Sequence, residues 1–380
     1  MTYLLMLLMT VSSFIYDEAP FPSCHASTIV ELQNGDLLAA WFGGQYEGSP
    51  DVCIWTSRKY YGASRWTTPA KAADGVFDLG TEQARLAGVD SAFMQSEWCK
   101  DGQPRKACYN PVLFQMPDGE VLLFFKIGAY VQDWTGWLVR STDNGVSWSA
   151  REPLPEGFLG PIKNKPEIVG KKLLCPSSTE KDDWKIHFEA FELDANGHFP
   201  KAGDLAKRAT KIGPIEAEQA EKTFEQGMLS PIGCIQPSIL RLKDGRLQVL
   251  CRTQNGRLAT SYSSDEGKTW SPVTLTSLPN NNSGTDAVTL RDGRQVLVSN
   301  PVATPPGENG GKRSPLTVSV SSDDGQTWQQ WATLEDDNEG EYSYPAVIQG
   351  RDGTVHVTYT WHRERIGYAA LPRVNNEGCE

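Results

Sequence analysis

The sequence has no dense run of lysine or arginine. Its formal charge of −11, from 36 basic and 47 acidic side chains, argues against a nucleic-acid or anionic-membrane partner. It has no C-x-x-C pair and no Cys/His spacing typical of zinc, so neither a metal nor another cofactor is expected. Helix-favouring stretches are rare. Long apolar runs are also missing: the apolar segment at residues 1–13 is too short to span a bilayer and lacks a charged start. It reads equally as a shortened export signal or as an N-terminal extension. The mature chain is therefore expected to have no membrane span, and to be secreted or periplasmic, or otherwise cytoplasmic.

What is present points to β-structure. With 380 residues, 39% of them apolar, the chain can bury a large core, and single all-β domains of this length are common. The 35 glycines and 24 prolines are scattered as turn punctuation rather than gathered in linkers. One domain is expected over residues 14–375, with a short tail at 376–380. Of eight cysteines, Cys24, Cys53, Cys175, Cys234 and Cys251 lie in strand-like runs and read as buried thiols. Cys99 and Cys108 flank a polar loop and are expected to pair as a disulfide if the chain is exported.

Two independent repeats organise the sequence. The pattern S-x-D-x-G-x-x-W occurs at Ser141–Trp148, Ser263–Trp270 and Ser321–Trp328, with a degenerate copy at Ser57…Gly62…Trp66. Within it, Asp bonds nearby amides, Gly takes positive φ, and Trp packs back between sheets. The motif is thus a structural hairpin and lies away from any chemistry. Turn-then-strand units recur at Asn34-Gly35, Asp118-Gly119, Gly170, Asp244-Gly245, Asp292-Gly293 and Asp352-Gly353, each preceded by an apolar strand such as PSILRL. Six such units predict an all-β, six-bladed β-propeller. The spare length falls at residues 67–107 and 193–230, and 216–226 is expected to form a short helix.

With these boxes the chain resembles the sialidase superfamily, its BNR-repeat members in particular, from about residue 14 onward. The resemblance implies a pocket in which arginines grip a sugar carboxylate, a Glu-activated Tyr attacks the anomeric carbon, and an Asp protonates the leaving oxygen. Arg252 looks like the second arginine, Arg313 like the third, and Tyr342 of EYSYPAV like the nucleophile. Three departures stand out. Cys24 or His25 occupies the place of the first arginine, Gln236 replaces the activating Glu, and the acid has no clear counterpart except Glu47, with Asp51 the alternative.

The expected substrate is a glycan ending in an anionic sugar, and the expected reaction a sialidase-like exo-glycosidase step. Gln236 is no base, so Tyr342 needs Glu341, Glu47 or His25 as its partner. A second chemistry fits the same parts: elimination from a uronide, with His25 as base and Tyr342 as acid. A third reading is a carbohydrate-binding propeller without turnover. Other residues near strand ends are candidates for sugar contacts: Asn110, Lys163, Lys165, Asn282, Asp286 and His362, with Trp41, Trp98 or Trp361 as stacking platforms.

Overall fold

Each of the six turn units closes a hairpin, and glycine supplies the left-handed backbone there (φ +88° at Gly35, +95° at Gly353). The computed structural model describes residues 11–99, 102–181, 183–218, 232–305 and 308–373. These hairpins are the inner halves of six four-stranded antiparallel sheets arranged as a six-bladed propeller. The N-terminal strand is β1 (Val11–Phe14). Blade one holds β2 (Ser23–Glu31), β3 (Leu37–Gly44), β4 (Cys53–Lys59) and β5 (Ala70–Ala73). Blade two holds β6 (Ala107–Gln115), β7 (Val121–Gly128), β8 (Thr135–Ser141) and β9 (Glu152–Pro153). Blade three holds β10 (Glu167–Val169), β11 (Lys172–Thr179), β12 (Lys185–Glu192) and β13 (Ala209–Ile212).

Blade four is built from β14 (Cys234–Arg241), β15 (Leu247–Thr253), β16 (Arg257–Ser263) and β17 (Thr274–Pro279). Blade five has β18 (Asp286–Thr289), β19 (Gln295–Ser299), β20 (Leu316–Ser321) and β21 (Gln329–Glu335). Blade six has only three strands from its own stretch of chain: β22 (Tyr342–Gln349), β23 (Val355–Trp361) and β24 (Arg365–Leu371). Its fourth is β1, which pairs antiparallel with β24 from Val11↔Ala370 to Phe14↔Gly367. The first strand thus closes the ring on the last blade. Val11, Ser12 and Ser13 of this strand lie within the segment read from sequence as an export signal or an N-terminal extension.

The three boxes occupy the β8–β9, β16–β17 and β20–β21 hairpins. In the middle copy Asp265 Oδ1 accepts from the amides of Lys268 (3.0 Å) and Thr269 (2.9 Å), while Ser263 Oγ accepts from Gly267 (2.9 Å). Trp270 then lies flat on Phe188 of the neighbouring blade, with centroids 4.0 Å apart and planes 7° apart. Its role is to lock blades together, as the motif implied. The degenerate copy is shifted in register from the sequence reading. Ser57 Oγ donates to Thr67 O at 2.6 Å just as Ser261 Oγ donates to Ser271 O at 2.6 Å. Lys59 therefore stands at the box serine's place, and Asp36 from the adjacent turn accepts the Tyr61 amide at 2.8 Å instead.

Two expectations need correction. Cys99 and Cys108 are separate, buried free thiols. Cys108 opens β6 and its side chain enters the blade-one and blade-two core, where burial pushes the thiol up. The segment 216–226 falls mostly outside the described residues, and its described start runs extended, with Glu218 donating to Val273 O at 3.0 Å. Among the described residues no helix is long and apolar enough to cross a membrane.

Candidate active site

Four of the six inner strands break their pleat near the start. The register shifts between His25 and Thr28, Tyr109 and Val112, Ile235 and Ser238, and Ser343 and Ala346. At each bulge a non-glycine residue takes positive φ: Ala26 (54°), Asn110 (41°), Gln236 (56°) and Tyr344 (50°). A bulge bends the strand and re-aims a side chain. Here the four bulges ring the central mouth, at the propeller end opposite the boxes. Strained backbone concentrated at one place in a fold is a functional signal.

Tyr344 occupies the centre of this ring. Its hydroxyl accepts from Arg252 Nη1 at 2.7 Å and from Gln236 Nε2 at 3.3 Å. Its ring meets His25 with centroids 4.2 Å apart, and the guanidinium of Arg313 lies 5.8 Å from the ring centroid. Arg252 is further fixed by Asn282 Oδ1, which accepts from Nε at 2.9 Å, and it lies over the Trp184 ring at 5.1 Å. Asn282 is thus a positioning group for an arginine.

Arg363 joins the cluster from the β23–β24 turn. Glu341 Oε1 accepts from Arg313 Nη1 at 2.8 Å and from Arg363 Nε at 2.9 Å, binding the two guanidiniums into one unit. Arg363 also pairs with Glu47. Its carbonyl accepts from the Cys24 amide at 2.7 Å. The turn is therefore pinned beside the place where the sequence lacked an arginine, and blade six supplies the cation that blade one does not.

Burial, reinforced by charge, sets the state of His25. It is 2% exposed, and burial followed by the positive charges of Arg363, Arg313, Lys163 and Arg252 holds its imidazole well below the usual histidine value. The ring is neutral, and its buried Nδ1 has no hydrogen-bond partner. Glu47, by contrast, is committed to Arg363, and Asp51 accepts from Ser49 Oγ and the Gln45 amide, which makes it a loop brace.

Several sequence-read residues lie elsewhere. Tyr342 is buried against the blade-five and blade-six core, its hydroxyl 3.3 Å from His362 Nε2. Burial, then Glu335, Asp337 and Asp336, raises its phenol above the ordinary value. His362 makes that contact and stays outside the arginine cluster. Trp41 is fully buried and stacks on Tyr16 at 5.2 Å, leaving no face for a sugar. Trp361 packs edge-on to Phe14 and Trp98 edge-on to Tyr130.

The two lysines and Asp286 are scaffolding. Lys163 Nζ donates to Asn164 Oδ1 (2.8 Å), Thr285 O (3.1 Å) and Pro345 O (2.7 Å), beneath Tyr344. Lys165 Nζ donates to both oxygens of Asp286 at 3.0 and 2.9 Å. Asp286 also accepts from Ser238 Oγ (3.2 Å) and the Val347 amide (2.8 Å), tying blades four, five and six together. Asn110 contributes its carbonyl, which accepts from the buried Lys126 at 3.2 Å. Among the described residues no group of His, Cys, Asp or Glu is arranged to hold a metal ion.

Buried Lys126 carries a pH signature. Burial lowers its ammonium to about 7, with Glu189 and Cys175 opposing. Below that value both folded and unfolded chains hold the proton and the burial penalty applies in full. Above it the unfolded chain binds more protons, so unfolding free energy rises with pH until the free lysine titrates. Between pH 6.5 and 8 this amounts to about 1 kcal/mol for one such lysine. Urea titrations across that range are expected to show the rise, with Lys126→Met reducing it by about this amount. An unchanged slope in the variant would mean the ammonium stays charged.

Comparison with known proteins agrees with this architecture. Residues 35–357 match the profile of the BNR repeat-like domain. A sialidase of Micromonospora viridifaciens is 25% identical over 238 residues, which are 58% of this chain and 32% of that protein. The match thus spans about a third of that relative's length. An intramolecular trans-sialidase of Ruminococcus gnavus superposes with a TM-score of 0.64 at 14% identity, over 97% of this chain and 98% of that one. The NanB sialidase of Streptococcus pneumoniae gives 0.62 at 14%, over 94% and 70%. At such identities the structural likeness is one of fold. The profile, however, runs through five of the six turn-strand units and beyond all three boxes, and on that ground the chain belongs to the BNR repeat-like family.

Proposed function

We propose that the chain is an exo-acting glycosidase for a terminal anionic sugar, sialic acid or a close analogue. The observation that carries this reading is the gathering of Arg252, Arg313 and Arg363 around Tyr344. A carboxylate offers two coplanar oxygens, which guanidinium forks match in both charge and shape. Tyr344 is the nucleophile in this reading. A neutral phenol suits an anionic anomeric centre better than a carboxylate, and Arg252 and Gln236 already donate to the oxygen that would attack. Glu341 and Glu47 are engaged by arginines, which leaves neutral His25 as the base beside it.

The test is incubation with a sialoside and with uronide-ended oligosaccharides, reading products by mass. Release of the intact sugar with uptake of water supports the proposal. Arg252→Ala is expected to lower kcat/KM by about 10- to 150-fold, from about 1.5–3 kcal/mol of charge-assisted hydrogen bonding. One observation favours a second reading. A neutral buried imidazole against a tyrosine is also the pair that elimination from a uronide needs, and that reaction gives a product lighter by one water. Binding without any product would leave the carbohydrate-binding reading standing.

A further inference from the structure

Beside the arginine cluster a cavity of about 220 Å³ opens between blades two and three. Trp134, Phe158 and Leu159 form an apolar wall, and Ser178 and Glu180 a polar edge. The Trp134 ring is held in place by Tyr109, with centroids 4.9 Å apart, so the wall presents a fixed aromatic side chain. Pockets for drug-sized ligands run from about 300 to 1,000 Å³, so this one has room for a single ring. An aromatic wall beside a carboxyl edge suits a neutral pyranose, which offers both C–H faces and hydroxyls.

Glu180 stands where this cavity meets the mouth. It follows β11 in the turn on the mouth side, one blade from Arg252. Two carboxylates at the arginine cluster are taken: Glu341 holds Arg313 and Arg363, and Glu47 holds Arg363. Glu180 makes no ion pair or hydrogen bond with the described residues. Burial raises its carboxyl above the ordinary value, Arg252 opposing and Glu47 reinforcing. A carboxyl that holds its proton more firmly than an exposed glutamate is what a general acid requires.

We infer that Glu180 is the proton donor to the leaving group, and that the cavity beside it receives that group as a neutral sugar ring. This rests on the glycosidase reading above. As the glycosidic C–O bond breaks, its electron pair stays on the leaving oxygen, which takes the proton from Glu180. Tyr344 Oη bonds to the anomeric carbon and yields its proton to His25. In the return step water attacks that carbon and gives a proton to the Glu180 carboxylate. The Tyr344–carbon bond breaks and the phenol recovers its proton from His25.

The experiment compares an aryl sialoside, whose leaving group needs no proton, with a sialyl-lactoside and a methyl sialoside, which do. Glu180→Gln is expected to lose about 100-fold or more in kcat/KM on the lactoside and the methyl sialoside but about fivefold or less in kcat/KM on the aryl substrate, whose kcat falls because the return step loses its base. In wild-type protein the alkaline limb of the kcat/KM profile is expected with the lactoside and not with the aryl sialoside, a contrast that needs no variant. A lower KM for the lactoside than for the methyl sialoside reports the cavity. Equal losses on all three substrates, or none, would overturn the assignment of Glu180, and equal KM values would overturn that of the cavity. Wild-type protein inactive on every sialoside overturns the glycosidase reading itself, and this inference with it.

Discussion

Tyr344→Phe is expected to lower kcat by about 100- to 10,000-fold, whereas Tyr342→Phe leaves it within about threefold. Both variants remove one hydroxyl, so the contrast isolates position from chemistry. The Tyr344 hydroxyl is held by Arg252 and Gln236 at the centre of the cationic ring. The Tyr342 hydroxyl meets only His362, within the core of blades five and six. Losing that contact is expected to reduce stability by about 1 kcal/mol, the net worth of an ordinary hydrogen bond. Steady-state kinetics on an aryl sialoside, with urea titrations of both variants, separates the two effects. A collapse of activity in Tyr342→Phe with retained stability would move the nucleophile to that residue and undo the site as drawn.

The largest stability effect is expected at Asp286. Its carboxylate is 2% exposed and accepts from Lys165, Ser238 and the Val347 amide, reaching into three blades and the loop ahead of β10. Asp286→Ala leaves a hydroxyl and an amide without their acceptor, and Lys165 with only the Ala287 carbonyl, at 2.9 Å. Breaking a buried ion pair from one side typically lowers stability by about 3–5 kcal/mol. The Lys165 side chain keeps 19% of its surface exposed and can recover some hydration, so about 3 kcal/mol is expected. Asp286→Asn keeps an acceptor and should lose roughly half of that. Chemical denaturation provides the measurement; a loss under about 1 kcal/mol in the alanine variant would show that the blades do not depend on this junction.

The blades were legible because their signals are local. Asp265 satisfies amides three and four residues ahead, so an eight-residue motif contains nearly all of its own physics. The mouth was only partly legible. The Tyr-Ser pair at 342–343 points to Tyr342, but the bulge between Ser343 and Ala346 resets which side chain faces inward. A signal for Tyr344 was nevertheless present: Asn110-Pro111, Gln236-Pro237 and Tyr344-Pro345 occupy the same bulge position in three blades. Arg363 had no such signal, because it fills blade one's vacancy from the far end of the chain, across the closure. Lys163, Lys165 and Asp286 carry the charge expected of sugar ligands. Only burial reveals that their partners are protein atoms, and burial is a tertiary property.

Ring closure also orders events during synthesis. A chain leaving the ribosome completes blades one to five in sequence, each from its own stretch of residues. Blade six differs: its outer strand, Val11–Phe14, is made before blade one and its other three strands after blade five. That strand must therefore wait for its partner in blade six while blades one to five are translated. Arg363, in the turn leading into the last strand, reaches Cys24 in the same final phase. The cationic ring around Tyr344 and the closed circle of blades are thus finished together, and a nascent chain stalled short of residue 365 would have neither.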